Sequence, residues 1–304
     1  MRNNKSFDGF AEAIGELPKQ RKLDYKIMEE VDKGEYVQNK IIYKNESGED
    51  IPAFYLVPKN AEDVPAIICL HQHANEYHLG KSEVIGLKGS PEQGYGIDLV
   101  KKGYAILAPD SVCFEEREDQ ELGGHSGEKY VAMKEIMNGG SLARRMITDI
   151  IYGVDFLESR GEIDKNNIAL MGFSLGAMQT WMTYGFDERF RTGISICGVS
   201  SYESMFKSKI IHSSFHLYVP GLMKHTDIPE ILAGFSPRSF LVLSGRKDPL
   251  YPAEGIITAV ETAKQDYTDD SADERFHYRL FDCGHQLTKG MKEEAFSWLE
   301  KQLI

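Results

Sequence analysis

From residue 66 onward the chain alternates short apolar runs with helix-forming ones, and this rhythm narrows the fold more than any other feature. Residues 66–70, 104–108, 168–172, 192–197, 239–244 and 277–282 read as strands, and 93–102, 141–159, 175–184, 253–267 and 289–303 as helices. A strand that is apolar throughout must be covered on both faces, and a helix between strands carries the chain back to start the next one in the same direction. The pattern therefore predicts an α/β fold with a mainly parallel sheet and helices on both faces. Two earlier strands, Tyr36 to Tyr43 and Ile51 to Val57, flank the turn-forming segment Asn45-Glu46-Ser47-Gly48-Glu49-Asp50 and predict a hairpin, which brings the sheet to eight strands.

Two segments depart from the rhythm. Between residues 6 and 31, Phe7, Phe10, Ala11, Ile14 and Leu17 fall on one helical face before Pro18, and a second charged amphipathic stretch runs from Leu23 to Val31. They predict an N-terminal helical extension over residues 1–35, packed beside the core, whose functional roles would be a pocket wall or a homodimer contact. Residues 198–238 are too many for a plain connection and predict a small helical insertion over the strand ends, where lids arise. No internal repeat, low-complexity tract or Pro/Ser-rich linker divides the chain, so residues 1–304 are expected to form one domain.

The strand at 168–172 runs into Gly172-x-Ser174-x-Gly176 and then into helix-forming Ala177-Met178-Gln179-Thr180. A serine hydroxyl is a poor nucleophile unless a base takes its proton, and it must stand clear of the backbone to meet both base and substrate. A sharp strand-to-helix turn provides that, with glycines where strand, turn and helix crowd together. Two later segments supply the partners. Ser239 to Asp248 is an apolar strand ending in a glycine loop that presents a carboxylate, and Phe276 to His285 is a strand followed by Gly284 and an imidazole. Each of Ser174, Asp248 and His285 lies just past an apolar strand, where open α/β sheets place their ligands. Their order in the chain is that of hydrolases built on such sheets. Asp110, also at a strand end, is the rival acid, but it precedes the serine.

With Ile67-Ile68-Cys69-Leu70-His71-Gln72-His73, Gly103 to Asp110, Gly172 to Gly176, Leu243 to Pro252 and Gly284-His285, the chain resembles the α/β-hydrolase superfamily, in its dienelactone-hydrolase-like and acetyl-esterase-like branch bordering the prolyl-oligopeptidase-type hydrolases. The resemblance spans roughly residues 40 to 300. It implies an oxyanion hole of two backbone N–H groups, one from Leu175 and the other from Gln72 or His73, with His71 bracing the loop or meeting the substrate. Relatives often carry His-Gly-Gly or His-Gly-x here, and this chain has a side chain at each position after His71, so the choice between Gln72 and His73 stays open. Phe114, Tyr202, Phe206, Phe215, Tyr218 and Tyr251, in loops beyond the strand ends, are the aromatics expected at the pocket mouth, and Arg117 from the run Glu115-Glu116-Arg117-Glu118-Asp119 is expected to enter it.

With 47 acidic against 35 basic side chains and a net charge of −12, nucleic acid and anionic membrane are not expected as partners, since both need a basic face. The sequence after Met1 leads into no apolar stretch, so neither signal peptide nor membrane span is read and a cytoplasmic location is expected. Cys69, Cys113, Cys197 and Cys283 form no C-x-x-C pair and read as unpaired thiols. The histidines 71, 73 and 78 lack a carboxylate or thiol at ligand spacing. His212 and His216, four apart, would share one face of a helix but read as surface or pocket histidines, so no metal is expected.

These readings converge on a serine hydrolase that needs no cofactor and acts on a small-molecule ester. The same three residues would also serve an aminopeptidase or acylaminoacyl-peptidase, or a lactonase. From a different class comes a non-catalytic hydrolase fold that binds a small ligand.

Overall fold

The computed structural model describes residues 5–18 and 22–303. Nine strands make one sheet: β1 (Tyr25–Asp32), β2 (Tyr36–Lys44), β3 (Asp50–Pro58), β4 (Val64–Leu70), β5 (Ala105–Pro109), β6 (Ile163–Phe173), β7 (Phe190–Ile196), β8 (Ser239–Gly245) and β9 (Phe276–Phe281), in the order β1-β2-β3-β5-β4-β6-β7-β8-β9. Strands β4 to β9 run parallel, and β3, β2 and β1 extend the β5 edge as antiparallel neighbours. The described helices are α1 (Lys5–Ile14), α2 (Gly80–Val84), α3 (Tyr95–Val100), α4 (Gly124–Met137), α5 (Leu142–Glu158), α6 (Leu175–Tyr184), α7 (Tyr202–Lys207), α8 (Ile228–Ala233), α9 (Ala253–Asp269) and α10 (Lys289–Gln302).

The strands are apolar throughout because both faces are covered. Along β4, Ile68 and Leu70 join Ile147 of α5 and Trp181 of α6 in one core, while Ile67 and Cys69 join Leu99 of α3 and Leu299 of α10 in another. Successive side chains of a strand point to opposite faces, so two helix layers demand an uninterrupted apolar run. The chain leaves β4 for β5 on one side and then crosses to β6 on the other. At such a switch point the loops leaving the two adjacent strands diverge and open a crevice. Those loops begin at His71 and at Ser174.

The expected helical extension is only half helical. Helix α1 forms, but Leu23 to Val31 lies largely in β1, the ninth strand, paired antiparallel with β2 around an irregularity between Ile27 and Glu29. Six of the eight β1 residues are exposed, so hydrophobic periodicity had little to report. What decides the element is the open hydrogen-bonding edge of β2, and Lys26, Glu29 and Glu30 on the new edge discourage further pairing. Residues 1–4 and 19–21 of that expected extension lie outside the described residues. Helix α4 was not anticipated either: its apolar residues are spread around the helix, and Tyr130, Met133 and Met137 are exposed.

Residues 198–238 form α7, α8 and single 3-10 turns at Phe215–Leu217 and Leu222–Lys224. Asp227 organises this segment. Its carboxylate accepts from the backbone N–H groups of Tyr202 and Glu203 that open α7, and from Ile228 at the start of α8, where Glu230 completes a capping box. His212 lies outside any helix, so His212 and His216 do not share a helical face. All four cysteines are free. Among the described residues no helix is long and apolar enough to cross a membrane.

Candidate active site

Ser174 sits between β6 and α6 with φ 56° and ψ −111°, a backbone region that side chains other than glycine rarely occupy. The surroundings enforce it. A Cβ on Gly172 would collide with the backbone of Gly176, and one on Gly176 with the carbonyl of Leu70 at the end of β4. Both glycines let the start of α6 press onto the central strands, while the Ser174 N–H donates to the Ile196 carbonyl at 2.9 Å.

The three strand-end residues converge. His285 Nε2 lies 2.8 Å from Ser174 Oγ, and Nδ1 lies 2.7 Å from Asp248 Oδ2. The Asp248 side chain is fully buried, and its Oδ1 accepts from the N–H groups of Leu250 (2.9 Å) and Tyr251 (3.3 Å). With its oxygens so engaged, the carboxylate is fixed as an acceptor toward Nδ1–H, which leaves Nε2 bare toward the serine hydroxyl. Phe173 and Tyr251 flank the imidazole, with ring centroids at 5.2 and 5.8 Å. Asp110 is elsewhere: it is buried against Lys81, Oδ2 to Nζ at 2.7 Å.

The loop after β4 is held by its own histidines. His71 Nδ1 lies 2.8 Å from the Gln72 carbonyl and Nε2 accepts from the Ser111 N–H at 3.1 Å, which assigns a neutral ring protonated at Nδ1. Burial pushes its pKa down to about 4. His73 Nδ1 accepts from the Asn75 N–H at 3.0 Å, so its proton is on Nε2, 2.9 Å from Glu128 Oε2. The Gln72 side chain donates to Glu83 on α2. Leu175 opens α6, whose first-turn N–H groups have no acceptor within the helix.

Several expected pocket residues are placed differently. Arg117 is buried, not at the mouth: it pairs with Asp149 of α5 at 2.8 Å and Glu49 of the β2–β3 turn at 3.1 Å, tying the loop after β5 to both. Phe114 is fully buried and stacks on Tyr77 at 4.8 Å, supporting the His71–His73 loop from beneath. His71 is likewise buried, as a brace. Tyr251 packs between His285 and His212, while Phe215 and Tyr218 are half-buried in the insertion. Tyr202, Phe206 and Tyr218 line an apolar groove of about 270 Å³. Sequence reasoning missed His212 as a neighbour of Tyr251, and Glu128, whose charged surroundings in the sequence carry no sign of burial.

Among the described residues, Cys197, Asp248 and His285 are a group whose ligand atoms lie within 4.8 Å of one another. Burial pushes the Cys197 thiol up to about 12, and both ring nitrogens of His285 already face partners, so the arrangement suits proton transfer better than metal ligation.

The family model described as the Abhydrolase family matches residues 9–188, more than half of the chain. The chain belongs to this α/β-hydrolase family. A second match, to the prolyl oligopeptidase family, overlaps it and covers residues 123–273. YtaP of Bacillus subtilis (strain 168), named provisionally as a hydrolase, is 27% identical over 95% of this chain and 96% of its own length. Two solved structures share the fold. The glucuronoyl esterase from Solibacter usitatus has a TM-score of 0.73 at 14% identity and covers 99% of this chain and 92% of its own. Acetyl xylan esterase 1 from Thermoanaerobacterium sp. JW/SL YS485 has a TM-score of 0.68 at 17% identity, covering 98% and 93%.

The histidines also predict an acid sensitivity. A buried His71 with a pKa of about 4 binds fewer protons than the unfolded chain, whose histidine titrates near 6.5. Stability present at neutral pH is therefore lost as pH falls from about 6.5 to 4, by roughly 3 kcal/mol for this residue alone. His216 is fully buried, no protein group among the described residues bonds either of its nitrogens, and burial lowers its pKa in the same direction. His216→Leu should match or exceed the wild-type Tm at pH 7 and lose less on acidification. Thermal melts across pH 4 to 7 check both, and a steeper loss in the variant would contradict the sign.

Proposed function

We propose that the protein is a serine hydrolase that cleaves a small carboxylic ester through an acyl-enzyme. The observation that carries this reading is the continuous relay from Ser174 Oγ through His285 to Asp248, at 2.8 and 2.7 Å. His285 Nε2 takes the hydroxyl proton as Oγ adds to the carbonyl carbon, while Asp248 holds the ring and stabilises the imidazolium. The carbonyl oxygen becomes an oxyanion, received by the N–H of Leu175 and that of Gln72 or His73. Collapse of the tetrahedral intermediate expels the alcohol, which leaves with the proton from Nε2. Water then attacks the acyl-enzyme with the same base, releasing the acid and restoring Ser174. The esterases sharing the fold support an ester substrate; the match to the prolyl oligopeptidase family makes an amide the second substrate to try.

A fluorophosphonate probe should label Ser174 in the folded wild type, and labelling should vanish in Ser174→Ala. Absence of labelling would leave a ligand-binding fold without catalysis. Paired p-nitrophenyl ester and p-nitroanilide substrates then separate esterase from peptidase.

In this reading residues 198–238 act as the lid that selects acyl and alcohol groups, because the relay itself is indifferent to them. The apolar groove beside Tyr218 offers room for such a group, and the Tyr218 hydroxyl donates to the carbonyl of His212, a residue whose ring packs on Tyr251. Replacing Phe215 and Tyr218 together by Ala should shift the ratio of kcat/KM between acetyl and hexanoyl esters, since each methylene in an apolar pocket is worth roughly 1–3 kcal/mol. Turnover of the acetyl ester should survive. Unchanged ratios along a chain-length series would remove the two aromatics from selectivity.

A further inference from the structure

Glu128 of α4 is fully buried, and every contact its carboxylate makes is with a donor. Oε2 accepts from His73 Nε2–H at 2.9 Å and from the Tyr77 hydroxyl at 2.7 Å, and Oε1 accepts from the backbone N–H of Phe215 at 3.1 Å. Three parts of the chain far apart in sequence thus meet on one side chain: the loop after β4, helix α4 and the insertion. A carboxylate is the acidic side chain's pure acceptor form, and two of the three groups facing it, the His73 Nε2–H and the Phe215 N–H, can only donate. Burying such a group costs stability unless it is fully hydrogen-bonded, so its position is tightly defined by those three donors.

We infer that Glu128 is a positioning residue of the active site, which sets the loop bearing the Gln72 and His73 amides against the insertion so that the oxyanion donor and the lid move as one body. The inference rests on the serine-hydrolase reading above. Glu128 itself lies behind His73 and meets no reacting atom; it acts through the backbone of residues 72 and 73 and through Phe215. An oxyanion donor is useful only within a few tenths of an ångström of its place, and a displacement near 1 Å costs on the order of 100-fold in rate. The expected signature is a fall in kcat with little change in KM, since the donors grip the transition state more than the ground state. A merely structural Glu128 would lower the melting temperature and leave kcat of the folded enzyme untouched.

The test starts from the wild type, whose fluorophosphonate labelling and p-nitrophenyl acetate turnover establish the hydrolase reading on their own. Glu128→Gln, which turns an NH2 group toward donors, is then compared at a temperature where circular dichroism shows it folded. We expect kcat to fall about 10- to 100-fold, KM to stay within about threefold, and the rate of fluorophosphonate labelling to fall in parallel, because phosphonylation uses the same oxyanion site. Tyr77→Phe removes one donor with no change of charge and should lower kcat several-fold at unchanged KM. It decides the question if Glu128→Gln fails to fold. Wild-type kcat in either folded variant overturns the inference, and a wild type without labelling or turnover overturns the reading beneath it.

Discussion

Ser174→Ala should abolish turnover of p-nitrophenyl acetate while leaving the fold intact. Nothing else in the site can take the role of Oγ: His285 Nε2 is aimed at it from 2.8 Å, and the neighbouring Cys197 thiol is buried and held protonated. The loss should be on the order of 10⁴ to 10⁶ in kcat, with any residue of activity arising from the oxyanion donors and substrate binding. The fold should persist because alanine keeps the Ser174 backbone and its N–H bond to Ile196, and the crowding around Gly172 and Gly176 that fixes the turn is unaltered. Steady-state kinetics beside a thermal melt checks both halves. More than about a tenth of wild-type activity would move the nucleophile elsewhere.

Asp248→Asn is expected to be nearly as severe, and its mechanism is specific. Asparagine would place an NH2 where Oδ2 now accepts from Nδ1–H, or else where Oδ1 accepts from Leu250 and Tyr251. The first arrangement forces the imidazole into the tautomer with its proton on Nε2, unable to take one from Ser174. A loss of roughly 10⁴ in kcat follows, with binding little changed. Asp110→Asn provides the contrast. Its carboxylate meets buried Lys81 through both the backbone N–H and Nζ and serves no role toward His285, so the cost should appear as stability, below the roughly 3–5 kcal/mol of a buried pair broken outright because Glu116 (2.6 Å) and Glu115 (3.4 Å) still face Nζ. Melting temperature and kcat measured on both variants separate the two acids. A kcat ranking with Asp110→Asn the worse would transfer the orienting role to Asp110.

The acid sensitivity of the buried histidines and the role of Glu128 come from the same economy of space. Six aromatic or imidazole rings, including Tyr77, Phe114 and Phe215, pack around the loop after β4 and α4. The ring nitrogens of His71 and His73 and the carboxylate of Glu128 find partners there, whereas among the described residues neither nitrogen of His216 does, and that is where substitution is expected to help.

What could be read from the sequence was whatever depends on neighbours along the chain. Apolar runs flag strands covered on both faces, and Gly172-x-Ser174-x-Gly176 flags a crowded turn because the residues that collide are themselves within that turn or beneath it. The convergence of Ser174, Asp248 and His285 was also legible, since a parallel sheet brings the C-terminal ends of its strands to one edge whatever the intervening chain does. The remainder depended on tertiary structure. Tyr25 to Asp32 became a strand because β2 offered an unpaired edge, a fact absent from the segment's own exposed and charged residues. Arg117 went to Asp149 and Glu49 instead of the pocket, and Glu128 was drawn from an unremarkable helix into contact with His73, Tyr77 and Phe215. A charged side chain looks the same in sequence whether water or protein will surround it; only the packing of distant segments over it determines whether it is solvated or becomes the fixed point around which a site is built.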